Sequence, residues 1–154
     1  MPWAAIDLAY LAGFLDGEGS ISINRSRNKG AHIAGSYVAH FNVGGTDEQT
    51  IRWIAETFNG EFKSFPNKHL FSNYKDSHKC RWTYVTGPPV LMAVMPFLKT
   101  KRLQALYYVE FVQYCSSILH GRSLPEDVRK RAGQLAALCA SVSDHQSRWK
   151  GLSD

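Results

Sequence analysis

The sequence predicts an α+β domain in which a four-stranded antiparallel sheet is joined by helices, with additional helices at the C-terminal end. Three observations lead to this prediction. Two pairs of segments alternate apolar and polar residues, each pair follows a segment with helical periodicity, and the last third of the chain shows helical periodicity alone. The 154 residues are enough for one domain with its own core, and we expect a single domain whose core spans about residues 6–142.

The first half of the chain is predicted to form a helix, two strands and a second helix. Residues 6–15 are apolar on nearly every side, and the glycines that follow them end this helix. Residues 20–24 and 36–43 alternate with a period of two and form a hairpin with one apolar and one mainly polar face. Residues 46–49 have the spacing of a capping box, so the second helix begins there and ends at Gly60.

The second half is predicted to form a second hairpin followed by helices. Residues 61–65 and 79–86 are its strands, separated by a long polar loop. A short apolar helix covers residues 90–95, and a long helix starts near Thr100. A second capping box at residues 123–126 begins the final helix.

The composition favours an anionic partner and excludes several classes of protein. Lys and Arg number 18 against 13 Asp and Glu, which gives a formal net charge of +5 and suits nucleic acid or a membrane surface. The longest apolar run, residues 90–98, is too short to span a bilayer, and the N-terminus lacks the basic region of a signal peptide. The cysteines are odd in number and widely spaced, so we expect no disulfide framework, no structural zinc site and a reducing, intracellular location.

The first helix carries a small residue at every fourth position. Ala5, Ala9, Gly13 and Gly17 form a ridge with almost no side chains. Gly13 in a helix interior costs about 1 kcal/mol relative to alanine, so a compensating contact is expected. A smooth ridge allows close approach of a second helix, either from the same chain or from a second copy across a two-fold axis.

Two carboxylates, Asp16 and Glu18, follow at the C-terminal end of this helix. Negative charge is unfavourable at that end of the helix dipole, and a bound cation would reverse the effect. Free carbonyl oxygens together with a carboxylate are ligands that suit Mg²⁺. The alternative is that both carboxylates are simply solvated.

Residues 11–19, Leu-Ala-Gly-Phe-Leu-Asp-Gly-Glu-Gly, resemble the signature of the LAGLIDADG homing endonucleases. Residues 96–101, Pro-Phe-Leu-Lys-Thr-Lys, resemble the Pro-x-Leu-x-x-Lys segment of that family. The resemblance implies an αββαββα core and, because the motif occurs once, a homodimer with two motif helices packed at its axis. The expected interface residues are Ala5, Ala9, Ala12, Gly13 and Asp16.

The same resemblance assigns chemical roles. Glu18 would bind the catalytic metal beside the carbonyl of Gly17, and Lys101 would be the active-site lysine. Gln49 is the best candidate for a further polar catalytic residue, although its capping-box position offers an equally good structural role, and Asp16 is assigned mainly a structural role. The expected cofactor is Mg²⁺, with Mn²⁺ able to substitute and Ca²⁺ supporting binding without cleavage.

The polar faces of the two hairpins are the predicted surface for reading double-stranded DNA, because a β-ribbon fits the major groove. The alternative is a solvated sheet face. The predicted DNA-side positions are Ser22, Asn24, Ser26, Ser36, Val38, His40, Asn42, Glu61, Lys63, Arg81 and Thr83. The cations expected in or near loops, where they would contact phosphates, are Arg25, Arg27, Lys29, Lys68, Lys75 and Lys79.

The resemblance therefore implies a site-specific homing endonuclease that makes a double-strand break in a long pseudo-palindromic target as a homodimer. Neither a membrane nor a small-molecule cofactor is expected, and the protein would be encoded in an organelle or act in a prokaryotic cytoplasm. The alternative is an intron maturase that binds RNA on the same fold without cleaving DNA. Retention of Glu18 and Lys101 favours cleavage, since RNA binding does not require an acid at a dimer axis.

Overall fold

The computed structural model describes residues 2–25, 37–68, 75–116 and 126–150. Five α-helices and four strands lie in these ranges, in the predicted order. Their bounds are α1 Ala5–Glu18, β1 Gly19–Arg25, β2 Tyr37–Gly45, α2 Glu48–Thr57, β3 Glu61–Phe65, β4 Ser77–Trp82, α3 Gly87–Val94, a 3-10 turn Met95–Phe97, α4 Arg102–Ser116 and α5 Glu126–Lys150. The strands form one antiparallel sheet in the order β1-β2-β4-β3. The predicted α+β class with a four-stranded antiparallel sheet and extra C-terminal helices is confirmed.

The chain divides into two compact units. The first comprises Met1–Ser20 and Phe41–Lys99, and the second comprises Ile21–His40 and Thr100–Asp154. The first unit holds α1, α2, β3, β4 and α3, whereas α4 and α5 belong to the second.

The core of the first unit is built mainly from side chains of α1, α2, α3 and β4. Leu11 and Leu15 of α1 and Ile51 and Ile54 of α2 are fully buried. Trp82 of β4 is also fully buried, and its indole N–H donates to the Phe58 carbonyl at 2.9 Å. A buried indole needs such an acceptor, since an unpaired N–H would carry the full cost of desolvation.

The turn between α2 and β3 requires a glycine. Asn59 has φ 55°, a left-handed conformation that asparagine tolerates. At Gly60 a Cβ atom would lie 3.0 Å from the Trp82 ring and closer still to the Cys80 sulfur. Burial beneath this turn raises the pKa of the Cys80 thiol to about 12, so the group stays neutral and unreactive.

The second unit is organised by the packing of α4 against α5. Tyr108 of α4 and Leu135 of α5 are fully buried, and burial raises the pKa of the Tyr108 hydroxyl. Arg131 donates from its Nε to the Glu110 carboxylate at 3.0 Å, which links the two helices at their half-buried edge. Cys139 of α5 donates its thiol to the Ile21 carbonyl at 3.5 Å. Burial also raises the pKa of this thiol.

Several predicted boundaries differ from those observed. The cap of α2 is Asp47 rather than Thr46, because the Asp47 carboxylate accepts the Gln49 and Thr50 N–H groups at 3.1 and 3.4 Å. Strand β4 ends at Trp82 rather than at residue 86, and α3 begins at residue 87 rather than 90. Prolines fill the first turn of α3, where no N–H donor is needed. The capping residue predicted at position 123 lies outside the described residues.

No helix among the described residues is both long and apolar enough to cross a bilayer.

Candidate functional site

The C-terminal end of α1 leads directly into a strand, and a glycine makes this junction possible. Gly19 donates its N–H to the Leu15 carbonyl and begins β1 in an extended conformation. A Cβ atom at Gly19 would lie 2.6 Å from that carbonyl oxygen, so no other residue fits. Glu18 is the last residue of the helix and is exposed, as is Gly17. The junction therefore presents a free carboxylate beside the carbonyl groups at the end of a helix.

Asp16 has a different environment from Glu18. It is half-buried, and its Oδ2 accepts the backbone N–H of Lys99 at 2.8 Å. Lys99 follows the 3-10 turn after α3, so this bond connects the end of α1 to a segment 83 residues away. A charge-assisted bond of this kind offsets the unfavourable position of a carboxylate at a helix C-terminus. This contact gives the predicted structural role of Asp16 a specific partner.

The residues at this junction suit a hard divalent cation only in part. Glu18 supplies one exposed carboxylate and the helix end supplies carbonyl oxygens, and both are ligands that Mg²⁺ accepts. Within the described ranges, no three His, Cys, Asp or Glu side chains cluster as a metal site. Because Mg²⁺ takes about six ligands, Glu18 and the helix-end carbonyls supply only part of its coordination shell. Their donor chemistry fits a hard divalent cation.

The two other predicted catalytic residues lie at the beginnings of helices. Gln49 is exposed in the first turn of α2, and the cap by Asp47 takes over the structural role that its sequence position suggested. Lys101 precedes α4 in the second unit, where its carbonyl accepts the Ala105 N–H at 3.0 Å. The Lys101 residue is half-buried.

The outer face of α1 is not covered by the described residues. Ala5, Ala9, Gly13 and Gly17 are all exposed, and a Cβ atom built on either glycine has no neighbour within 4 Å among the described residues. The predicted ridge therefore does not pack against the described part of its own chain.

Two apolar residues on this outer face were not predicted. Ile6 is 77% exposed and Tyr10 is 48% exposed, although the opposite side of the helix is buried. At 100° per residue Ile6 projects between Gly13 and Gly17, a signal that a helical projection could have found. Ala12, which was expected at the interface, is 1% exposed within this chain.

In the first unit, one face of the sheet is polar and exposed. The strand register aligns Asn42, Arg81 and Glu61 in one row. A second row aligns Gly44, Lys79 and Lys63. All four charged side chains are exposed, whereas the alternate residues of β4 are buried.

Two lysines on this face differ from the expectation. Lys79 differs in its position, and Lys63 has a partner that the sequence did not suggest. Lys79 was expected near a loop, as the first residue of its strand, but it is the third residue of β4 because the strand begins at Ser77. Its Nζ is 5.6 Å from the centre of the exposed Phe65 ring. Lys63 lies 3.3 Å from the Glu61 carboxylate, so part of its charge is neutralised locally. Phe65 was not among the predicted residues.

Thr83 does not belong to the sheet face that was predicted for it. Its hydroxyl accepts the N–H groups of Val85 and Thr86 at 3.2 and 3.3 Å, and its carbonyl accepts that of Gly87 at 2.8 Å. These bonds form a turn directly after β4, so the hydroxyl is engaged locally. Lys68 and Lys75 lie outside the strands, as expected, and both are exposed.

In the second unit, three of the predicted polar residues form a local network. Ser22 Oγ and His40 Nε2 lie 3.2 Å apart, and Asn24 donates its side-chain amide to the same hydroxyl at 3.1 Å. Val38 is half-buried. The Arg25 side chain and residues Ser26, Arg27, Lys29 and Ser36 lie outside the described part of the chain.

Several solved structures share this fold. The homing endonuclease I-CvuI, in complex with a DNA target in the presence of Mg, has a TM-score of 0.71 at 16% identity, covering 89% of this chain and 82% of that chain. The archaeal intron-encoded homing endonuclease I-Vdi141I, complexed with DNA, has a TM-score of 0.67 at 18% identity, covering 89% of this chain and 84% of that chain. The LAGLIDADG meganuclease I-AabMI, bound to uncleaved DNA, has a TM-score of 0.60 at 16% identity, covering 87% of this chain but only 44% of that chain.

No curated protein matches the sequence. The sequence model of the LAGLIDADG endonuclease family matches residues 11–118, a span that runs from the first residue of the motif through α4. The resemblance seen in the α1 motif is thereby confirmed, and the chain belongs to the LAGLIDADG endonuclease family.

Proposed function

We propose that this protein is a site-specific endonuclease that cuts both strands of a long pseudo-palindromic DNA target, as a homodimer and with a divalent metal at Glu18. The observation that carries the proposal is the structure of α1. An exposed carboxylate ends this helix, and its apolar outer face carries a ridge of alanine and glycine that the described residues do not cover. If two such helices meet across a two-fold axis, each brings one Glu18 toward the same region.

The outer face of α1 supports a second copy of this chain as the partner. A two-fold interface needs a self-complementary surface, and the alanine and glycine ridge lets two backbones approach closely. Ile6 and Tyr10 would lose their exposure in such a pair, and burial of apolar surface favours association. The match covers only 44% of the I-AabMI chain, so that chain is about twice as long as this one.

Each chain would contribute its own groups to phosphodiester hydrolysis. A bound divalent ion, Mg²⁺ or Mn²⁺, would activate water and neutralise charge on the phosphate, and Ca²⁺ would support DNA binding alone. Glu18 would hold the ion through its exposed carboxylate, with the Gly17 carbonyl beside it. Lys101 would stabilise negative charge that develops on the phosphate, and Gln49 would orient water.

The exposed sheet face supports double-stranded DNA as the substrate. Its central residue is Arg81, which is flanked in register by Asn42 and Glu61, and Lys79 lies in the next row. Arginine and asparagine are side chains that read base edges in the major groove, and lysines bind phosphates. The net charge of +5 adds a general attraction to a polyanion. The DNA complexes of I-CvuI and I-Vdi141I agree with this substrate, and no feature of the chain favours the maturase alternative.

A cleavage assay on a library of DNA sites tests the proposal. We expect cutting with Mg²⁺, binding without cutting with Ca²⁺, and loss of cutting by about 10³-fold or more for Glu18→Gln, since the variant keeps its size but loses the anionic ligand. Its binding to the target in Ca²⁺ should be unchanged or slightly tighter, because the variant removes two negative charges that would face phosphates.

The matched control is Glu56→Gln, which makes the same change at an exposed position of α2. It should cut at the wild-type rate. Cutting by Glu18→Gln near that rate would exclude Glu18 from the reaction, and the absence of any Mg²⁺-dependent cutting by the wild type would overturn the proposed function.

A further inference from the structure

We propose that Asp16 is a positioning residue that fixes the segment leading into Lys101 by holding the backbone of Lys99. The inference rests on the proposed function, because it concerns the same reaction. It gives the first carboxylate of the α1 motif a role distinct from that of Glu18, which would hold the metal.

The contact between Asp16 and Lys99 is short and joins distant parts of the sequence. Asp16 Oδ2 accepts the Lys99 N–H at 2.8 Å across a separation of 83 residues. The bond lies at the surface, with Asp16 half-buried and Lys99 exposed. An ionised acceptor makes such a bond stronger than one between neutral groups.

The Lys99 N–H lies just beyond the hydrogen bonds of the 3-10 turn. The 3-10 turn ends where the Leu98 N–H donates to the Met95 carbonyl at 3.2 Å, and Leu98 then turns to an extended conformation with ψ 142°. Leu98 is buried, whereas the residues that follow it are exposed or half-buried. The Lys99 N–H is therefore the first donor beyond the turn, and Asp16 accepts it.

The bond constrains two segments that carry proposed chemical groups. On one side it acts on the last turn of α1, two residues before Glu18. On the other side it acts on the backbone two residues before Lys101. Because catalytic groups must be held to within a fraction of an ångström, loss of this bond should slow the reaction more than it weakens DNA binding.

The first test compares two substitutions at Asp16. Asp16→Ala removes the acceptor, and we expect kcat to fall about 10- to 100-fold while KM for DNA and the half-saturating Mg²⁺ concentration stay unchanged. Asp16→Asn retains a carbonyl oxygen that can accept the same N–H, and it should recover kcat to within about threefold of wild type.

The second test removes the donor instead of the acceptor. Lys99→Pro lacks the N–H, whereas Lys99→Ala keeps it and controls for loss of the side chain. Lys99→Pro should lower kcat further than Lys99→Ala does, and combining Lys99→Pro with Asp16→Ala should add little. This pair also keeps the proposal testable if Asp16→Ala fails to fold.

Asp76→Ala is the matched control for loss of a carboxylate contact. Asp76 Oδ1 accepts the Asn67 N–H, also at 2.8 Å, so the substitution removes a bond of the same kind outside the motif. We expect kcat to remain at the wild-type value in this variant.

Amide hydrogen exchange at Lys99 provides a readout that does not depend on cleavage. Exchange should be fastest in Asp16→Ala, intermediate in Asp16→Asn, whose neutral carbonyl is a weaker acceptor, and unchanged in Asp76→Ala. If the wild type cuts no DNA, the proposed function fails while this measurement still tests the bond.

Three results would overturn the inference. A raised Mg²⁺ requirement in both Asp16→Ala and Asp16→Asn would make Asp16 a metal ligand instead. Wild-type kcat in Asp16→Ala would leave it no part in the reaction, and unchanged Lys99 exchange would remove the bond itself.

Discussion

Helices α1 and α2 belong to the same compact unit, yet only α2 follows the local rules for a helix at a protein surface. Its Asp47 cap satisfies two N–H groups, and Arg52 lies 2.7 Å from Glu48 one turn away. Its buried residues, Ile51, Ile54 and Ala55, occupy one face. Helix α1 has no side-chain cap at Ala4, carries a glycine in its interior and exposes large apolar residues.

The difference shows which parts of α1 lack the local interactions that stabilise α2. Helix α2 is complete within one chain, because its caps, ion pair and buried face all agree. Apart from the missing cap at Ala4, the departures of α1 from those rules lie on its outer face and at its C-terminal end. These are the two places where a second copy and a metal are proposed. Departures of this kind are expected at functional sites, where other interactions compensate for them.

Gly13→Leu is the substitution that should have the largest effect on dimerisation through α1. We expect it to weaken dimerisation by at least about 100-fold, since overpacking a close helix contact costs several kcal/mol. The same change should stabilise the isolated chain by up to about 1 kcal/mol, because leucine favours helix and the site is open. Sedimentation equilibrium measures the first effect and denaturation of the monomer measures the second.

Glu56→Leu places the same side chain on an exposed position of α2 and should leave dimerisation unchanged. A wild-type protein that sediments as a monomer, or a Gly13→Leu variant that dimerises normally, would show that the outer face of α1 is not the interface.

The cap of α2 should matter for stability and not for dimerisation. Asp47→Ala removes an acceptor for two N–H groups, and we expect the free energy of unfolding to fall by about 1 kcal/mol. Asp47→Asn should recover most of this loss. Denaturant unfolding at matched protein concentration checks the prediction, and a change in the dimer dissociation constant would contradict the view that α2 is complete within one chain.

The smallest expected effect concerns the ion pair on α2. Both side chains are about half exposed, so a double-mutant cycle on Glu48 and Arg52 should give a coupling of about 0.3–0.5 kcal/mol. The cycle is needed because Arg52 also lies 4.1 Å above the Phe62 ring, and its removal alone would include that contact. Coupling that persists at about 1 M salt, where surface charges are screened, would contradict this assignment.

The sequence predicted most of the fold because burial follows periodicity. The buried residues of α2 recur at helical spacing, and the alternation in β2 appears in the structure as the pattern indicated. The boundaries were less predictable, since neighbouring residues can compete for one role. Thr46 and Asp47 can each cap a helix, and only the backbone geometry decides between them. In β4 the alternation ends at Trp82, because the Thr83 hydroxyl satisfies nearby N–H groups better than a strand would.

The candidate site was predictable only where a motif marks it. The motif identifies Glu18, but no period in the sequence links Asp16 with Lys99, because their contact depends on how α1 and the 3-10 turn pack. The exposed Phe65 was equally hidden, since an aromatic residue in a strand normally indicates a core position.

Strand β4 also has a consequence for how such a protein could change its target. Its even-numbered residues, His78, Cys80 and Trp82, are buried, and its odd-numbered residues, Ser77, Lys79 and Arg81, are exposed. Mutations at the exposed positions leave the interior untouched, so a lineage could try new side chains there one at a time without losing a folded protein. The buried residues of β4 are therefore constrained by the fold, whereas its exposed residues are free to vary.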